Sequence, residues 1–277
     1  MAALPTLNLV GCGRVGKTLG HLWQTQGVLQ VQDVLTTAPA SAQAAVDFIG
    51  AGRAVDTLSA MRPADYWFIA VPDRQIAASA TDMAQTLAAL PPAIAFHASG
   101  ALTATELAPL HARGWHIASA HCILSFATPA AAVQQFAGTP CALEGDRVAT
   151  ERLQAPFTAI GAHCFAVAAE QKLLYHAAAV FGTNFLPVLQ AAAEALWQRS
   201  GVPPELLPRL RATLLRNAVD NLLALGPAGA LTGPAARGDT ALVQRQGQAV
   251  AQWNASAGAA YEALSALAGE LARNGRL

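Results

Sequence analysis

The chain has 277 residues, enough for one large domain or two ordinary ones with full cores. Its formal net charge is zero, only 12% of residues are charged and no basic block occurs, so the electrostatic footprint of a nucleic-acid binder is missing. No apolar run is long enough to span a bilayer and no basic segment precedes an apolar one at the start. The expectation is therefore a cytoplasmic protein with no membrane partner.

In chain order, a short apolar run over 7–10 leads directly into Gly11-Cys12-Gly13-Arg14-Val15-Gly16, and the residues after it read as helix. This is G-x-G-x-x-G between a buried strand and a helix start. Gly11 allows the tight turn, Gly13 leaves room for a pyrophosphate, and Gly16 lets helix and strand pack closely. The turn Gly11, Gly13, Arg14, Val15 and Gly16 is thus a candidate dinucleotide site, with N–H groups and the helix dipole facing the phosphates.

A second strand is expected near 33–36. Asp33 has the spacing of a ribose-binding carboxylate, but Val34 and Leu35 continue the strand past it. The residues leaving that strand are Thr36 and Thr37, with Ser41 close by. Hydroxyls there tolerate a 2′-phosphate, which favours NADP, with NAD as the alternative. Arg53 reads as a solvated surface residue. A helix is expected over 40–49 and a short strand over 55–58. The apolar run 67–71 reads as a strand covered on both faces and stopped by Pro72. Ala70, Val71 and Pro72, with Ile76 at the start of the covering helix, are read as cofactor contacts. Another strand over 93–96 ends in His97-Ala98-Ser99-Gly100, where His97 and Ser99 can touch the nicotinamide half, or His97 can be a satisfied structural histidine. Strand candidates 141–143 and 163–167 flank a helix over 146–160 and would extend the sheet. The alternation predicts a parallel, doubly wound α/β sheet.

From Glu170 the strand pattern stops. Helices are expected over 170–200, 206–225, 240–253 and 256–273, which gives a sheet domain over 1–167 and a helical domain over 168–277. Lys172 and His176 stand four apart on one helical face, with Tyr175 alongside and Asn184 two turns on. That face can line a substrate crevice, with Lys172 or His176 moving a proton and Asn184 holding a substrate oxygen. The same residues also fit a solvated lysine, a core histidine bonded to a carbonyl and a helix-kink asparagine. Arg237, in the Gly- and Pro-rich loop 231–239, can bind an anion, and Asp239 can cap the next helix. His121 with Ser125 can touch substrate, or His121 can be a satisfied structural histidine. No metal site is expected, and no nucleophile elbow or phosphate-binding Walker loop occurs. The four cysteines stand apart in sequence, without C-x-x-C, and read as thiols.

The motifs GCGRVG, FIAVPD, FHASG, HCILSF, KLLYHAAAVFGTNF and ALTGPAARGD, in this order, resemble a bacterial family of oxidoreductases with a Rossmann-like first domain and a helical second domain of unknown function. That family is similar to pyrroline-5-carboxylate reductase, ketopantoate reductase and the 6-phosphogluconate and 3-hydroxyacid dehydrogenases. The resemblance implies an N-terminal Rossmann-like sheet followed by an all-helical 6-phosphogluconate-dehydrogenase-like domain, NAD(P) as cofactor and a homodimer formed through the helical domain. It also implies Lys172 as proton donor, supported by His176 and Asn184. This sequence departs from the family where Thr36-Thr37-Ala38 replaces a Ser-Arg-Ser type strand end, and where His121-Cys122 replaces His-Pro. The resulting expectation is a reductase of a small carbonyl or imine compound. Its rivals are a non-catalytic NADP(H)-binding sensor and a structural assembly partner.

Overall fold

The computed structural model describes residues 3–277; Met1 and Ala2, at the head of the stretch read above as free of a leader, lie outside the described residues. The chain packs as two compact units, 1–180 and 181–277. The first unit runs β1 (Thr6–Val10), α1 (Arg14–Thr25), β2 (Gln30–Leu35), α2 (Pro39–Ile49), β3 (Arg53–Val55), β4 (Tyr66–Ile69), α3 (Ile76–Thr86), β5 (Ile94–His97), α4 (Ala108–His111), β6 (His116–Cys122), α5 (Pro129–Gln135), β7 (Pro140–Gly145), α6 (Arg147–Ala159), β8 (His163–Ala166) and α7 (Lys172–Ala179).

Its sheet has eight strands in the order β3-β2-β1-β4-β5-β6-β7-β8. The order reverses between β1 and β4, the switch point outside which ligands bind in doubly wound sheets. Alternation along the strands loads both faces. Leu7, Leu9, Phe68 and Phe96 pack with Trp23 and Phe157 on one side. Trp67, Ile69 and Ile117 pack with Ile76, Met83 and Trp115 on the other. Trp23 meets Phe68, Phe96 and Phe157 edge-on, and its indole N–H donates to the Pro156 carbonyl at 3.0 Å. A buried side chain of this size stabilises by about 3 kcal/mol.

Three expectations about the sheet change. The strands β1 to β6 are parallel as expected, but β7 runs antiparallel to β6, and β8 is parallel to β7. A parallel return requires a crossover the length of the sheet. The link from β6 to β7 holds only the seven-residue α5, so β7 starts where β6 ends. The strand expected over 55–58 is Arg53–Val55, followed by a single turn at Leu58–Ala60. Arg53 keeps its expected exposure, at 52%, but is also drawn into the ladder opposite Asp33, whose carboxylate it bonds.

The second unit holds α8 (Phe185–Arg199), α9 (Leu207–Ala230), α10 (Thr240–Trp253) and α11 (Ala255–Asn274). The long helix expected over 170–200 is split by a π-helical segment, Val180–Asn184. That segment breaks the 3.6-residue period on which a common stripe for Lys172, His176 and Asn184 was inferred. Helix α9 outruns its expected end and kinks at Gly226, φ 70°, before Pro227. Asp239 caps α10 by accepting from the Leu242 N–H, and Asn254 caps α11 from the Ala257 N–H. The two helices meet closely where Gly258 faces Ala251.

Candidate cofactor and active site

The three glycines of the first turn do three different jobs. Gly11 has φ +74°, and a Cβ there would lie 2.6 Å from Val71 Cγ1 and 2.8 Å from the Ala70 carbonyl oxygen. Its N–H donates to the Leu35 carbonyl at 2.7 Å. Gly16 faces Ala70 Cβ and Cys12 Sγ, which presses α1 onto the sheet. Gly13, at the N-cap of α1, has nothing within 4 Å of the place a Cβ would occupy. The open space belongs to a cleft of about 370 Å³. Gly13, Arg14 and Val15 line one part of it, with Ala70, Val71, Pro72 and then Asp73 and Ser99 lining others.

Two expected contacts lie elsewhere. Ile76 is buried in the core under α3, turned into the sheet by the helix it starts, and does not line the cleft. His97 is fully buried with both ring nitrogens engaged, at the Thr103 carbonyl (3.0 Å) and the Ser99 N–H (3.1 Å). Burial pushes its pKa down to about 4, so it is a neutral structural post that shapes the loop after β5. Thr36 is half-buried and donates to the Ala38 carbonyl, and Thr37 is exposed. Asp33 is 0% exposed and takes hydrogen bonds from the Arg53 and Arg62 guanidinium groups and from the Arg62 N–H. Burial is the largest single influence and would raise its pKa, but the bonds from Arg62 and Arg53 together outweigh it and hold the carboxyl below its usual range. It has no free edge to offer a ribose.

Lys172 is not solvated: it is 2% exposed. Its ammonium donates to the Ser99 carbonyl at 3.0 Å and to Ser119 Oγ at 2.5 Å, and stands 4.0 Å from Glu144 Oε2. Burial lowers its pKa, opposed by Glu144 and Asp73. Ser119 and Glu144 are register partners across β6 and β7, and Ser119 Oγ also donates to the Ser99 carbonyl. His121, on the same strand as Ser119, bonds Tyr175 Oη through Nδ1 at 2.8 Å. Burial, then His176, then Lys172 push its pKa down to about 4. The His176 ring lies 5.6 Å from that of His121, and its Nδ1 is buried without a hydrogen-bond partner among the described residues. Both imidazoles press on Gly100, where a Cβ would collide with each of them.

The first unit therefore brings Lys172, His121, His176 and Tyr175 together with Ser99. Ser119, Glu144, Gly100 and Asp73 were missed. Their signals were a serine and a glutamate within otherwise buried strands, a glycine after a strand end, and an acid just beyond Pro72. Asn184 and Arg237 belong to the second unit; Asn184 Oδ1 accepts from the Thr183 hydroxyl, and Arg237 is exposed in the loop before α10. Among the described residues no three His, Cys, Asp or Glu side chains are placed to hold a metal, and no helix is long and apolar enough to cross a membrane.

Two family models tile the sequence: a Rossmann-like domain over residues 3–121 and a domain of unknown function, DUF2520, over 139–268. No protein of curated function matches. Among solved structures, protein TM1727 of Thermotoga maritima is 25% identical, with 98% of this chain and 100% of that one covered and a TM-score of 0.76. BF3122 of Bacteroides fragilis, provisionally named an NADP oxidoreductase, is 20% identical, with 97% and 99% covered and a TM-score of 0.73. The reductive aminase of Aspergillus terreus, solved with NADPH and ethyl-5-oxohexanoate, is 19% identical, with 99% and 95% covered and a TM-score of 0.63.

Proposed function

Because the chain is a Rossmann-like protein that continues into a DUF2520 domain, we propose that it is an NAD(P)-dependent oxidoreductase, NADP-linked, that reduces a small carbonyl or imine compound. One observation carries the reading: a glycine turn opening on a cleft, with a buried lysine tied to the loop that lines the same cleft. Ser99 lines that cleft and offers its carbonyl to Lys172. Two of the similar structures carry NADP or NADPH in their names.

The residues fit the cofactor. The free space at Gly13 leaves room for a pyrophosphate to approach the backbone, and the N-terminus of α1 with Arg14 would favour its charge. Asp33, locked by two arginines, leaves Thr36 and Thr37 as the ribose-side groups, which tolerate a 2′-phosphate. A bound nicotinamide supplies or accepts the hydride. The chain holds the proton. Burial weakens the grip of Lys172 Nζ on its proton, with Ser119 Oγ bonded to it and His121, Tyr175 and His176 grouped beside it. Asn184 and Arg237 remain the second unit's candidates for holding substrate. The near-complete burial of Lys172 also supports a second reading, a non-catalytic NADP(H) sensor in which the lysine only ties the loop.

A titration with NADPH and NADH, read by energy transfer from tryptophan, tests the first step. NADPH is expected to bind at least tenfold more tightly. A panel of carbonyl compounds, alone and with amines, then tests turnover. Lys172→Met is expected to keep NADPH binding and to lose about 100-fold in turnover. Binding without turnover on any panel member selects the sensor, and no binding of either nucleotide removes both readings.

The helical half fits a homodimer. Phe181 and, on α9, Leu222, Leu223 and Leu225 are exposed there, Leu223 at 83%. Exposed apolar area of this extent marks an interface. Light scattering at micromolar concentration is expected to give twice the chain's mass; a monomer counts against the dimer.

A further inference from the structure

Asp73 closes the turn after β4 and lines the same cleft as Gly13 and Ser99. Its Oδ2 accepts from Ser99 Oγ at 2.8 Å. Among the described residues no cation stands within ion-pair distance of it, and the side chain is exposed. The nearby ammonium of Lys172 has a carboxylate of its own, Glu144, at 4.0 Å. Counted together, Lys172 and Glu144 cancel, and Asp73 leaves the site one negative charge in excess. Arg14, the cation that lines this cleft, sits beside the glycine turn where phosphates are expected.

We propose that Asp73 biases the hydride-transfer equilibrium between the enzyme-bound states: its carboxylate favours the bound oxidised nicotinamide over the bound reduced one, so that on the enzyme transfer of hydride from cofactor to substrate is favoured. This rests on the reading of the cleft as a nicotinamide dinucleotide site. The oxidised ring carries one positive charge and the reduced ring none, whereas the phosphates and riboses are the same in both. Transfer moves one hydride, two electrons with a proton, to the substrate carbon. The carbonyl oxygen or imine nitrogen takes a second proton from the enzyme, and the ring is left cationic. A carboxylate at that end of the cleft stabilises the product state of the cofactor. In a solvent-lapped cleft such a charge is worth about tenfold in an equilibrium constant.

The test needs no substrate. Dissociation constants for NADP+ and NADPH are measured on the wild type, Asp73→Asn and Asp73→Glu by calorimetry, at low and high salt. Asp73→Asn keeps an acceptor for Ser99 and removes the charge. It is expected to weaken NADP+ about tenfold and NADPH less than twofold, while Asp73→Glu keeps the wild-type ratio. In the wild type, high salt should move the ratio in the same direction as Asp73→Asn, because the phosphate contribution cancels between the two forms. A common change in both constants overturns the proposal and makes Asp73 a hydrogen-bonding group for the neutral carboxamide. An unchanged ratio in Asp73→Asn, or a salt-independent one in the wild type should the variants not fold, overturns it as well. A wild type that binds neither form fails the cofactor reading itself, a different result from either.

Discussion

Gly11→Ala is expected to lose about 3 kcal/mol of stability and all measurable NADPH binding, whereas Gly13→Ala keeps its stability within about 1 kcal/mol and loses binding alone. The two positions are two residues apart and both are glycine, yet their surroundings differ completely. At Gly11 the φ of +74° penalises any side chain, and the added carbon meets a backbone carbonyl, which cannot swing away. At Gly13 φ is −74° and the added carbon enters open cleft. Urea unfolding and NADPH titration on the same two variants separate the effects. Equal stability losses would mean that the turn is held together differently. Full binding by Gly13→Ala would mean that phosphates do not pass there.

Removing both arginines from Asp33, as Arg53→Ala with Arg62→Ala, is expected to cost about 3 kcal/mol at neutral pH and to reverse the response to acid. In the wild type the folded carboxyl titrates below its ordinary value of 3.8. Its stabilisation is complete above that value and fades as the pH falls through the folded one. Without the two guanidinium groups only the backbone N–H of residue 62 still opposes burial, and burial then lifts the folded pKa above the unfolded one. The carboxylate then destabilises at neutral pH, and protonation relieves the strain. From pH 7 to 5 the urea midpoint of the double variant should therefore rise relative to that of the wild type. A parallel fall in both proteins would show that the Arg62 N–H and local water already satisfy Asp33.

Most of the sheet could be read from the sequence because its cues are local. An apolar run, three glycines and a helix start specify β1, the turn and α1 without reference to anything distant. Helix α10 was found to the residue, since Asp239 caps it and its amphipathic pattern ends at Asn254. What escaped depended on pairings far apart in the chain. Nothing near Cys141 says that β7 runs back along β6. Cys122, Cys141 and Cys164 look unrelated in sequence yet are register neighbours across three adjacent strands. Lys172 resembles any helical lysine until Ser99, Ser119 and Glu144 are brought around it from the loop after β5, from β6 and from β7. His97 is a converse case: its place at a strand end left open a ligand or a satisfied structural histidine, and the bond to Thr103, six residues on, fits the second.

The seam in packing after Val180 bears on how such proteins can diverge. Helix α7 goes with the sheet, so a recombination event joining a new set of helices at residue 181 inherits Lys172, Tyr175 and His176 already bonded or packed to their partners. A junction at 167, at the last strand, would instead separate Lys172 from Ser99 and Ser119 and require both halves to be rebuilt at once. The helical half is thus free to change sequence and exchange ligands over generations, while the proton-handling cluster is inherited as a single block with the sheet.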